Sequence, residues 1–263
     1  MTERQFSFPR LLVNLSCLLL AAVLLAGCGS TAASPVSSAA STAAESTTSS
    51  IVSETTSAAA DENVAAAAQL LNDLPGSYQE LWPVILADEY KQTWLDDCTA
   101  LVGEDNAEAA FEKLSSMVTG DVYGEDAVKA YANGGGAYFC GFTNSLATLT
   151  FDGETSTISG TDKDGNVLFS HTYHYIGMEP VHGLYEFESD DADSGEFTYF
   201  FLAPDTSAET YHIEFRYGSD AEALSQYDAG EYAYWVASGI STDCDQTMID
   251  NCIELFCTEN LAG

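Results

Sequence analysis

The chain is expected to fold as a mainly β protein, an antiparallel barrel or sandwich flanked by helices. Two observations support this. Short segments rich in Tyr, Phe, Thr and β-branched residues follow one another from Ala137 to Tyr217, separated by turn signals at hairpin spacing. Helical patterning precedes them and returns after them, with apolar residues at i, i+3 and i+4.

The N-terminus comes first. Arg4 and Arg10 precede an apolar run from Leu11 to Ala26, short for a membrane span and in the charge-then-apolar order of a signal peptide. It ends in Leu25-Ala26-Gly27-Cys28, the lipobox pattern of bacterial lipoproteins. Residues 1–28 are therefore expected to be a signal peptide, with Cys28 the lipidation site and its acyl chains the membrane anchor. Residues 29–61 are Ser, Thr and Ala with almost nothing to bury, the composition of a disordered tether. Fully extended, such a tether reaches on the order of 100 Å, enough to clear a cell wall. The expected location is the outer face of a cytoplasmic membrane, with a leaning toward a Gram-positive bacterium.

Residues 62–263 are long enough for one domain with its own core. Asp61 to Leu74 reads as a helix stopped by Pro75-Gly76. Ser77 and Glu80 have capping-box spacing ahead of Leu81 and Trp82, predicting a helix that runs to about Leu101. Further helices are expected over Asn106 to Val118 and Glu125 to Ala132, ended by Asn133-Gly134-Gly135-Gly136. Strands are expected at Ala137–Asn144, Leu146–Phe151, Thr155–Thr161, Val167–Ile176, Leu184–Ser189, Phe197–Leu202 and Tyr211–Tyr217. Val167, Phe169, His171, Tyr173 and Tyr175 alternate as an inward face. Helix is expected again at Ser219–Tyr227 and Asp245–Thr258.

A net charge of −34 argues against nucleic acid or anionic lipid as partners and is compatible with cationic ones, metal ions included. It also suffices to keep an exported protein soluble. Beyond the tether stand Cys98, Cys140, Cys244, Cys252 and Cys257, an odd number without a CxxC. Small buried thiols are the simplest reading of them.

No GxSxG, HExxH, Walker loop or GxGxxG is present, so the sequence gives no reason to expect an enzyme. Asp162 to Asn166 has part of a calcium-loop pattern but no downstream bidentate Glu, and a hairpin turn explains it better. His171 and His174 point to opposite faces of one strand. His212 and Glu214 share a strand face with Arg216. A His and a carboxylate two apart can ligate one Zn²⁺, and an ion pair of Glu214 with Arg216 is the plainer alternative.

The order of several motifs resembles the ZinT (YodA) family of extracytoplasmic zinc-binding proteins, over roughly Leu74 to the C-terminus. These are Tyr78-Gln79-Glu80-Leu81-Trp82-Pro83-Val84, then Tyr173-His174-Tyr175-Ile176-Gly177, then Gly183 to Glu188, then Ala203-Pro204 closing a strand, and Gly218-Ser219-Asp220 after the His212 strand. The resemblance implies a lipocalin-like (calycin) barrel and a site of three histidines. Of those positions, Phe200 stands at one, His212 is retained, and Glu214 replaces the third. The expectation is a divalent-metal site, zinc for preference, at His212 and Glu214, with His174 or His182 as possible extra ligands. The partner implied is an ABC-type metal transporter or its binding protein. The alternative is a barrel that has lost metal binding and takes a small organic ligand or a protein.

Overall fold

The computed structural model describes residues 63–74, 76–131, 137–203 and 212–262. Cys28, the signal segment and the tether lie outside the described residues. So do the glycine run 134–136 and the turn at Pro204.

Eight antiparallel strands close into a barrel in sequence order. They are β1 (Gly76–Glu80), β2 (Thr148–Asp152), β3 (Thr157–Thr161), β4 (Val167–Met178), β5 (Tyr185–Ser189), β6 (Tyr199–Leu202), β7 (His212–Gly218) and β8 (Ala237–Ser241). Helices flank it: α1 over 63–73, α2 (Leu81–Ile85), α3 (Lys91–Val102), α4 (Ala107–Val118), α5 (Glu125–Tyr131), the short α6 (Ala221–Leu224) and α7 (Gln246–Leu261). No described helix is long and apolar enough to cross a membrane.

The expected strands from Leu146 onward are present with small shifts of boundary, and the barrel is the outcome among the two β architectures. The segment Ala137–Asn144 is different. It forms isolated bridges from Phe139 to Thr119 and Trp235 in place of a strand. It is fastened instead by a side chain: the Tyr217 hydroxyl accepts from the Thr143 amide at 2.6 Å and donates to its carbonyl at 2.9 Å.

The larger departure is at Ser77 and Glu80. Glu80 stands at the N-cap of α2 but its side chain makes no capping bond; both residues belong to β1, which pairs with β2 and with β8 and closes the barrel. Ser77 Oγ meets Thr150 Oγ1 at 2.8 Å, and the Glu80 carboxylate accepts the Phe142 amide at 2.6 Å. Both side chains thus satisfy partners brought from far along the chain, which outweighs a local cap. The helix expected to run to Leu101 is correspondingly split into α2 and α3.

The lumen is filled with aromatic rings. Phe200 of β6 lies 5.9 Å from Phe169 and 5.4 Å from Tyr173, both on β4, a strand that is not its neighbour. Such contacts can only form across the interior. Phe169 also stacks on Phe197 at 3.9 Å. Gly160, opposite Phe169 in the ladder, makes room for this ring, since a Cβ there would come within 2.4 Å of it. The expected inward face of β4 holds from Phe169 to Tyr175, whereas Val167 is 68% exposed at the strand's start. α1 adds Ala67, Leu70 and Leu71 to this core, one stripe at helical spacing that Leu74 continues just past the helix end. A second core lies outside the barrel wall, where α2, α3, α4 and α7 pack over Ile240.

Candidate metal centre

Strand β7 sorts its side chains by parity. Ile213, Phe215 and Tyr217 belong to the lumen; His212, Glu214 and Arg216 face outward. His212 sits opposite Ile240 and Glu214 opposite Ser238. Because Ile240 belongs to the helical core, the outward face of β7 at this point is roofed by helices. His212 and Glu214 open into a cleft of about 30 Å³ between α2 and α7, with Trp82 on one side and Cys252 and Glu259 of α7 across from them. That volume holds an ion or a water molecule and excludes an organic ligand. Burial pushes the His212 imidazole down to about 4, which favours its neutral form near pH 7. A neutral imidazole beside a carboxylate is a donor set suited to zinc.

Among the described residues, no three His, Cys, Asp or Glu side chains stand close enough together to enclose a metal ion. The cleft therefore offers two donors on one strand, with Glu259 and Cys252 as the nearest candidates to complete a shell. Sequence reasoning missed these two, because nothing in the spacing of α7 says which strand it covers.

Phe200 is a correction to the three-position site. It pairs with Tyr217 in the ladder and is fully buried in the lumen, on the opposite side of the wall from Glu214. In this barrel the position could not join His212 and Glu214 around one ion whatever residue occupied it. The supplementary histidines are also elsewhere. His174 faces outward on β4, with Nδ1 2.8 Å from Asp190 and Nε2 3.9 Å from Glu188. His182 lies edge-on to Tyr227 at 4.0 Å, in the turn after β4. Neither lines the cleft. His171 points to the other face of β4, as expected, and pairs with Asp191 at 2.8 Å.

Arg216 is committed elsewhere too. Its buried guanidinium donates to the carbonyls of Leu224, Gln226 and Tyr232 and lies 4.2 Å from the centre of the Tyr227 ring. Those bonds gather the segment between β7 and β8. They replace the ion pair with Glu214 that the sequence offered as an alternative.

A second, larger cleft of about 320 Å³ lies outside the barrel, where Trp82 of α2 and Leu86 just after it face Val118 of α4 and the Phe139–Gly141 segment, with Glu80 at its edge.

No family model matches the chain, and no curated protein matches it. Among solved structures it is similar to the Zn(II)-bound ZinT-like domain of Streptococcus pneumoniae AdcA, at 16% identity and a TM-score of 0.44, over 70% of this chain and 89% of that one. It is also similar to Zn(II)-bound AdcA from Streptococcus pneumoniae, at 14% identity and a TM-score of 0.41, over 71% of this chain and 35% of that longer one.

Proposed function

We propose that this chain is an extracytoplasmic protein, tethered through a lipid on Cys28, that captures a divalent metal ion and holds it for an uptake system. Zinc is the proposed cargo, and an ABC-type metal transporter or its binding protein the proposed recipient. The anchor is the only membrane contact in this reading. The activity is binding, with no reaction catalysed.

The observation that carries the reading is the cleft itself. His212 and Glu214 point the same way from β7 into a space of ionic size, and α7 supplies Glu259 and Cys252 on its other wall. We assign His212 and Glu214 as ligands and Glu259 as the third, reached by rotation of its side chain. Water completes the shell. A site with one histidine and two carboxylates binds zinc more weakly than three histidines would, because carboxylate oxygens replace two of the stronger imidazole donors.

The test is calorimetric zinc titration of the metal-stripped full chain under reducing conditions. One site in the micromolar range or tighter is expected, abolished by His212→Ala and weakened about tenfold or more by Glu259→Gln. Phe200→His should leave the affinity unchanged, since that side chain lies in the lumen. Absence of saturable binding by the unmodified chain would sink the reading.

The alternative, a small organic ligand, is placed in the outer cleft beside Trp82. The lumen is occupied by rings, whereas about 320 Å³ lies within the size range of small-molecule sites. A ligand displaced by Leu86→Trp but not by His212→Ala would favour it.

A further inference from the structure

Two helices remote in sequence meet outside the barrel through their sulfurs. Cys98 of α3 and Cys257 of α7 are 159 positions apart, both fully buried, with Sγ atoms 3.9 Å from each other. Around them Trp94 and Phe256 pack edge-to-face at 6.0 Å, so the two helices are held against one another by large rings next to the thiols. A disulfide has its sulfurs about 2.05 Å apart, which leaves roughly 2 Å to close by side-chain rotation and a small helix shift.

We propose that Cys98 and Cys257 are a disulfide-forming pair, joined when the protein meets a thiol–disulfide oxidant. One thiolate attacks the oxidant's disulfide and releases one of its thiols. The second thiolate then displaces the remaining half. The Sγ–Sγ bond forms, the oxidant's S–S bond breaks, and two electrons and two protons pass to the oxidant, which leaves as two thiols. Burial raises both thiols above their ordinary range, so few thiolates exist in the closed structure. Reaction therefore proceeds while α7 is still docking or has locally opened. Once formed, the bond closes a loop that contains β2 to β8 and restricts the unfolded chain. It also anchors the helix that walls the His212 cleft. Only the place where the oxidant is met rests on the export reading; the pairing does not.

A peptide map distinguishes the two. The full chain is purified reduced in detergent, oxidised with glutathione disulfide, alkylated, and cut with a Glu-specific protease. Cleavage after Glu89, Glu104, Glu254 and Glu259 isolates Cys98 on peptide 90–104 and Cys257 on peptide 255–259, each without another cysteine. The expected product is these two peptides linked, two hydrogens lighter than their sum, with a melting temperature several degrees higher that dithiothreitol reverses. Cys244→Ser should preserve both results. Cys98 and Cys257 recovered alkylated after oxidation, or linked to other partners, would overturn the pairing. The map of the unmodified chain decides this without depending on whether Cys98→Ser folds. The same map on protein alkylated at cell lysis tests the export reading separately: linked peptides support it, and free thiols in a chain that links readily in solution count against it.

Discussion

A period of two along β7 separates His212 and Glu214 from Phe215 and Tyr217, and much of the chemistry follows from that separation. The outward pair is covered by helices, the inward pair by other rings. Burial acts on a second histidine as well. His182 is held below its ordinary value, chiefly by desolvation and secondarily by Arg216, against an opposing pull from Glu179. The folded state therefore binds fewer protons than the unfolded chain between that lowered value and about 6.5. Stability from this residue is fully present above about pH 6.5 and is lost as pH falls toward the folded value. His182→Gln should flatten part of the decline in melting temperature between about pH 6.5 and 5, leaving the share due to His212, which acts in the same direction. An unchanged slope in differential scanning fluorimetry would show that His182 is solvated in the folded protein.

Among elements, the segment between β7 and β8 shows how a buried charge can organise a loop. Arg216 binds carbonyls of Leu224, Gln226 and Tyr232, so the end of α6 and the return toward β8 converge on one guanidinium. Glu179, fully buried in the turn after β4, accepts from the amides of Val181 and His182 and adds a favourable negative charge nearby. Arg216→Met keeps the length but leaves those carbonyls without their donor in a buried setting. It should cost about 3 kcal/mol in urea unfolding. A loss below about 0.5 kcal/mol would mean the segment is held by its aromatic contacts alone. The same logic explains β1: Glu80 is worth more to the buried Phe142 amide than to a helix start.

For the whole molecule, charge is the dominant feature. The net value of −34 is hardly offset, and the Lys91, Lys129 and Lys163 ion pairs are all solvent-exposed. Exposed pairs of this kind contribute little, so repulsion among carboxylates should weaken the folded state at low ionic strength. Raising sodium chloride from about 10 to about 150 mM shortens the screening length from roughly 30 to 8 Å and should raise the melting temperature by a few degrees. A flat response would show that the charges are already balanced by spacing. The same acidity gathers divalent cations diffusely, which makes loss of the stoichiometric site in His212→Ala, rather than total bound metal, the meaningful readout.

Local patterns in the sequence determine the helices at Asn106 and Asp245, the ladder from β2 to β7, and the shared face of His212 and Glu214, because periodicity and turn chemistry act over a few residues. The net charge is likewise legible at once, as a property of composition. Only the tertiary structure decides that Gly76–Glu80 is a strand, that Ala237–Ser241 pairs with it to close the barrel, and that Phe200 lies across the wall from Glu214. It alone brings Glu259 to the His212 cleft and Cys98 to Cys257. Each of these depends on which distant segment covers a given face, and that is settled by burial of the assembled core, which no local spacing encodes.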